Sequence, residues 1–334
     1  MMEIDFVIPW VDGSDPAWQA EKNRYLPDTT ADSASSNRYR DWDLLLYWFR
    51  SVEKYAPWVR RIHFLTWGHV PEFLNLACPK LRIVNHSQFI PAEYLPTFSS
   101  HVIEMNLHRI PDLAEHFVYF NDDTFLLREF QPENFFQDGL PCTYGAEIPW
   151  TFHGKLGIWA HAAANDLGVI NAHFPKKTAV HLHGKKYRAG CYGWKTNLRT
   201  LALQTLFPDQ FTGFQNLHAP AAYRKQTFHE VWSAEPELLT ATSRNRFRAS
   251  TDVNQWVFLW WQVAKGSFSP AVIDNLVCPI NASTIETACD AIVNQRHAYL
   301  CANDPEDLDD FEGLARRLRD AFETMLPEKC AFEK

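Results

Sequence analysis

No stretch of this sequence approaches the roughly 20 consecutive apolar residues of a membrane-spanning helix, so no span is expected. No C-x-x-C pair occurs either. The seven cysteines are odd in number and widely scattered, which fits free thiols in a reducing compartment better than a disulfide framework. Positive charge is in deficit. With 32 Lys and Arg against 40 Asp and Glu, the net charge of −8 argues against a general nucleic-acid binder. The opening MMEIDFVIPWVDG lacks a basic segment followed by a long apolar run, so no signal peptide is expected. No internal repeat is visible. These absences predict a cytoplasmic chain, with peripheral attachment to a membrane assembly left open.

At 334 residues the chain can bury a sizeable core, as one large domain or one domain with a substantial insertion. Apolar content of 46 % and charged content of 22 % are ordinary for a globular protein. Thirteen Trp and 24 Phe suit a large core, and also surfaces that stack on sugars or bases.

The pattern along the chain is that of an α/β protein. Ile4 to Val11 reads as a strand, and Asp15 with Pro16 caps a helix through Tyr25. A polar loop over Pro27 to Asn37 follows. Asp41 is a candidate cap for a helix in which Leu44, Leu45, Trp48, Phe49 and Val52 repeat at helical spacing. Arg61 to Thr66 and Leu81 to Val84 read as strands with a helical turn near Pro71 to Leu76 between them. A helix carrying Glu104, Asn106 and His108 then leads into a buried strand, Phe117 to Phe120. Strands alternating with helices imply a parallel sheet with right-handed crossovers. Helices are expected at Gly157 to Ile170, Trp194 to Leu206, Arg224 to Trp232, Ser283 to Val293 and Pro305 to Met325, with a short strand near Ala298 to Leu300. Another helix carries Trp256, Val257, Trp260, Trp261 and Ala264, with Thr251 or Asp252 as its cap.

In such a sheet, ligands gather outside the carboxyl ends of the strands. Asn121, Asp122 and Asp123 follow Phe120 directly, and Asp12 and Gly13 follow the first strand, so the two groups should share one rim. Adjacent carboxylates can hold a hard cation such as Mg²⁺ against a phosphate; an Asx turn ending a strand has the same sequence. Arg40 can reach a phosphate or be solvated. His218, just ahead of Pro220, is expected in an extended or turn conformation and has the pKa for proton transfer near neutrality. Arg248 precedes a helix N-terminus and can clamp a phosphate, or pair with Asp252. The basic stretch His181 to Arg188 reads as solvated surface, as an anion contact, or as a zinc site using His181, His183 and Cys191.

Four ordered blocks resemble the Stealth family of sugar-phosphate transferases. They are Ile4 to Asp15; Tyr39-Arg40-Asp41 through Ala56 to Arg60, Pro96 to Ser100 and Ile103-Glu104 to Asn121-Asp122-Asp123; Asn197 and His218 to Pro220 with Lys225; and Phe247 to Asn254. The resemblance implies a Rossmann-like, glycosyltransferase-A-like fold: a mostly parallel sheet flanked by helices, with a helical insertion about 150–240. It also implies a catalytic domain over 1–270, with 271–334 as a supporting segment. By resemblance, Glu104 and Asp123 match active-site acids, His218 the base and Arg248 the phosphate-binding Arg. Asp122 and Asp123 would hold Mg²⁺ or Mn²⁺, and Asp12, Gly13, Arg40, Asn197 and Lys225 fall on the nucleotide-sugar side. The implied reaction moves a sugar-1-phosphate from a UDP-sugar to a glycan acceptor and releases UMP. A metal-dependent glycosyltransferase releasing UDP is the alternative, and a non-catalytic nucleotide-sugar or glycan binder is a further one.

Overall fold

The computed structural model describes residues 2–26, 39–151, 154–215, 217–305, 308 and 310–334; the loop expected over Pro27 to Asn37 lies outside them. In chain order the elements are β1 (Ile4–Pro9), α1 (Pro16–Tyr25), α2 (Leu45–Tyr55), β2 (Arg61–Thr66), β3 (Leu81–Asn85), α3 (Ser100–Met105), β4 (His116–Tyr119) and β5 (Thr124–Leu126). Next come β6 (Phe136–Gln137), β7 (Leu140–Thr143), α4 (Ile158–His173), α5 (Lys176–Tyr187), α6 (Gly193–Leu206), β8 (Ala221–Arg224), α7 (Lys225–Ala234) and α8 (Pro236–Ser243). The chain continues with α9 (Trp256–Ala264), β9 (Ser269–Pro270), β10 (Asn275–Pro279), α10 (Ile285–Val293), β11 (Tyr299–Asn303) and α11 (Phe311–Met325).

The main sheet has the order β3-β2-β1-β4-β8. Its first four strands are parallel and β8 is an antiparallel edge. β1 is interior and covered on both faces, which explains its almost unbroken apolar run. Successive side chains of a strand point to opposite faces. Phe6 and Ile8 accordingly enter one core, with Trp48 and Phe49 of α2 and Leu318 and Phe322 of α11. Val7 enters the other, with Met105 of α3 and Val257 and Trp260 of α9. Aromatic contacts fill both: Phe6 lies 4.8 Å from Phe120, and Phe228 stacks on Phe258 at 3.7 Å.

Asp15 caps α1 as expected, accepting from the backbone N–H groups of Ala17 and Trp18. Asp41 does not cap α2, which begins at Leu45 behind a Leu44 cap; it closes its own Asx turn by accepting from Asp43 N at 2.8 Å. Asp252 does not cap α9 either. It sits against His101 Nδ1 at 2.9 Å and accepts from Asn245 Nδ2 at 2.6 Å. The stretch near Pro71 to Leu76 forms turns rather than a helix.

Helices α4 to α8 occupy the region expected to be helical, and β8 returns the chain to the main sheet partway through it. The segment after 270 builds a second sheet, β10-β11-β5, in which β11 runs antiparallel to β5. That pairing brings residues 299–304 back beside Asp123.

Candidate active site

Because β1 to β4 are parallel, their carboxyl ends share one rim, and the antiparallel β8 starts there. A cleft of about 710 Å³ opens at this rim. Glu104, Asp122, Asp123, His218 and Arg248 all line it, together with Arg40. Five separate chain segments therefore converge on one cavity.

Asp122 is open to the cleft but otherwise enclosed by protein. That enclosure, followed by the charges of Asp123 and Asp41, pushes its carboxyl up to about 7. Burial likewise raises Asp123, opposed by nearby His218 and by the Cys301 thiol. Cys301 Sγ donates to Asp123 Oδ2 at 3.3 Å, and Ala302 N donates to the Asp123 carbonyl at 2.8 Å. Asp123 Oδ1 is buried without a hydrogen-bond partner among the described residues. Two neighbouring acids, one with an orphaned buried oxygen, form a donor set that fits a hard cation. Among the described residues no three His, Cys, Asp or Glu side chains are grouped to hold a metal ion. A cation at this pair would complete its shell with water and substrate oxygens, as Mg²⁺ commonly does. The same observation gives no support to zinc at His181, His183 and Cys191; His181 and His183 lie on α5, outside the cleft.

Glu104 is buried on α3, where its Oε2 accepts from Gln255 N at 3.0 Å. Arg248 does not pair with Asp252. Its Nη2 donates to Ser100 Oγ at 2.7 Å, which holds the guanidinium over the cleft. His218 has a φ of +44°, a region that L side chains seldom adopt. Asn275 Nδ2 donates to the His218 carbonyl at 3.0 Å and to that of Leu217, fixing the turn from the far side. Arg40 Nη1 is paired with Asp304 Oδ1 at 3.1 Å, both half-buried.

The residues expected on the nucleotide-sugar side divide. Arg40 lines the cleft, whereas Asp12 and Gly13 stop at its edge, where Val11 forms the wall. Asp12 Oδ1 accepts from Ser14 N at 2.8 Å in an Asx turn. A Cβ on Gly13 would lie 1.9 Å from the Tyr39 carbonyl, so this glycine lets the segment bearing Arg40 pass close by. Asn197 and Lys225 are not in the cleft. Asn197 is on α6 and donates to the Ala189 carbonyl at 3.0 Å. Lys225 follows β8 at the opposite rim, because that strand runs antiparallel to β4, and its backbone N–H bonds to Glu115.

Asp41, Asn303 and Asp304 were not anticipated and also line the cleft. Asp41 had the sequence context of a helix cap, and the other two carry no local signal.

Comparison with known proteins bears on this cleft. Residues 2–30 match Stealth protein CR1, conserved region 1; residues 38–142 match CR2, conserved region 2; and residues 217–259 match CR3, conserved region 3. A capsular polysaccharide phosphotransferase of Streptococcus pneumoniae, WcwK, is 40 % identical over 338 residues covering 99 % of both chains. A receptor polysaccharide phosphotransferase of Streptococcus gordonii, WefC, is 36 % identical over 99 % of both. An exopolysaccharide phosphotransferase of Lactiplantibacillus plantarum, cps2G, is 34 % identical over 99 % of this chain and 96 % of that one. Among solved structures, the galactosyltransferase LgtC aligns over 96 % of this chain and 95 % of its own, with 12 % identity and a TM-score of 0.42, too loose a likeness to carry weight.

Proposed function

This chain belongs to the Stealth family and is a transferase, and from that premise we propose the following reaction. A sugar-1-phosphate moves from a UDP-hexose or UDP-N-acetylhexosamine to a hydroxyl of an acceptor glycan in capsular or exopolysaccharide synthesis, and UMP is released. The reading rests on one observation above others: Glu104, Asp122, Asp123, His218 and Arg248, distant in sequence, line a single cleft.

In this reading the acceptor hydroxyl attacks the β-phosphorus of the donor. The bond from that phosphorus to the bridging oxygen breaks, and the oxygen leaves with UMP. His218 takes the hydroxyl proton. Arg248, held by Ser100, stabilises charge on the equatorial phosphoryl oxygens. Asp122 and Asp123 would hold Mg²⁺ or Mn²⁺, which when bound neutralises diphosphate charge. Glu104, fixed by the Gln255 N–H, positions polar groups of the substrate. Positioning and electrostatics supply most of such a rate enhancement. Seven free cysteines and a UDP-sugar donor suit the cytoplasmic side of the membrane.

The test is to incubate the protein with Mg²⁺, an acceptor glycan and a panel of UDP-sugars, then identify the nucleotide. UMP together with a phosphodiester in the product is the expected result. UDP would place the attack at the sugar carbon and overturn the proposal.

A further inference from the structure

Residues 167–208 contain seven Lys and Arg and no Asp or Glu, in a chain of net charge −8. This stretch includes the basic run that the cleft leaves unused. Four of the seven have local partners. Lys176 is buried against Glu147 at 2.7 Å, Lys177 pairs with Asp209 at 2.8 Å, Lys186 Nζ donates to the carbonyls of Gly266 and Phe268, and Arg188 Nε donates to the Gly184 carbonyl at 3.4 Å. Lys185, Lys195 and Arg199 are exposed and in no ion pair among the described residues.

The same two helices carry exposed apolar side chains. Of thirteen large apolar residues exposed among the described residues, six lie within 182–207. Trp194 is 72 % exposed, Leu198 60 % and Leu206 71 %. Trp194, Leu198 and Leu201 stand at helical spacing on one outward line of α6, while Thr200 and Leu203 face inward and are buried. Lys195 and Arg199 run beside that line, and Leu182 and Lys185 are exposed on the preceding helix α5. An apolar stripe with Trp at one end and a basic margin is the pattern of an interfacial helix.

We propose that α5 and α6 form a peripheral seat for an anionic phospholipid surface. Trp194, Leu198, Leu201 and Leu206 enter the headgroup boundary, and Lys185, Lys195 and Arg199 face the anionic lipid. Charge selects this occupant over others. A second copy meeting the same face two-fold would gather six cations at one interface, with no carboxylate from residues 167–208 of either copy to offset them. A glycan could stack on Trp194 but gains nothing from Leu198, Leu201 and Leu206. Among the described residues no helix is long and apolar enough to cross a membrane, so the seat lies on the surface. It is also tied to the cleft. Just before α6, Tyr192 Oη accepts from Gly145 N at 2.8 Å and donates to the Thr143 carbonyl at 3.4 Å, and Thr143 lines the cleft. A seated α6 thereby sets the height of the cleft above the lipid. The seat does not depend on which donor bond the enzyme breaks.

Co-sedimentation of the full chain with vesicles tests this. Binding to vesicles containing phosphatidylglycerol should exceed binding to pure phosphatidylcholine by about tenfold and weaken with salt. Lys195→Glu with Arg199→Glu should reduce it by about tenfold or more. Trp194→Ser with Leu198→Ser should reduce it even at low salt. All four positions are exposed, so both variants should keep the wild-type melting temperature. Four results would each overturn the seat: no binding to phosphatidylglycerol vesicles, equal binding to both lipids, variants that bind like wild type, or a dimer in light scattering that Trp194→Ser with Leu198→Ser dissolves. Retention on an immobilised anionic glycan without vesicle binding would give the face to a glycan instead.

Discussion

The two rims of the main sheet each hold a cluster built on aspartate, and they solve opposite problems. At the amino rim Asp5 is fully buried on β1. It accepts from Arg60 Nε at 2.8 Å, Arg60 Nη2 at 2.6 Å and Ala114 N at 2.8 Å, and meets His63 Nε2 at 3.0 Å. Burial alone would raise its pKa, but the Arg60 fork, His63 and the Ala114 N–H outweigh that and bring it down to about 2. At the carboxyl rim Asp122 and Asp123 lie side by side, Asp123 accepts from the weakly donating Cys301 thiol, and burial raises both. One rim has satisfied its carboxylate and gains rigidity. The other leaves Asp123 Oδ1 buried without a hydrogen-bond partner among the described residues, in a cleft where both carboxyls are raised.

Substitution should separate the rims. The largest effect expected is at Asp123. Asp123→Asn should lower turnover on the order of 10³-fold and weaken the Mg²⁺ requirement, while the melting temperature holds or rises. Asp5→Asn should do the reverse. It strands Arg60 and His63, costs about 3 kcal/mol of stability in denaturant melts, and leaves turnover per folded molecule within about twofold. A stable, inactive Asp5→Asn protein would break the comparison. His218→Ala should lower turnover on the order of 10²-fold with an unchanged melt.

Acid sharpens the contrast. The Asp5 pKa is depressed from an ordinary 3.8 to about 2, so its stabilisation is complete above about pH 4 and is lost as pH falls towards 2. Denaturant melts across that window should show a loss of about 2 kcal/mol that Asp5→Asn lacks. The smallest effect is at Cys301, whose thiol is a weak donor. Cys301→Ala should shift the cation concentration for half-maximal activity by about threefold with little change in kcat.

Local signals reached some parts of this design and not others. β1, β2 and the β4 region are legible because interior parallel strands need continuous apolar runs ended by polar turns. Asp122 and Asp123 are legible for the same reason, since they sit in the turn after β4, whereas His218 lies ahead of the short β8 and is picked out by its residue type and by the family resemblance. Asp41 is misread because a polar residue just ahead of a helical repeat looks like a cap, whereas its carboxylate closes a local turn with Asp43 N and accepts from Trp10 Nε1. β5, β8 and β10 lack the long apolar runs of the interior strands; each exists through the strand it pairs with. Asn197 and Lys225 are drawn in by the family resemblance, and the antiparallel run of β8 carries Lys225 to the wrong rim. Asp304 bears no motif and reaches the cleft only because β11 pairs with β5.

That last pairing has a consequence for timing. Cys301 meets Asp123 across 178 positions of chain, and Ala302 N clasps the Asp123 carbonyl. Contacts of such separation close late, because the long loop between them must first be confined. During synthesis the first four strands of the main sheet emerge well before residue 299. A nascent chain paused there would hold most of its scaffold but lack the strand that clasps Asp123. Catalytic competence would then wait for β11 to emerge and pair, and a folding defect in β11 would silence the enzyme while leaving the scaffold standing.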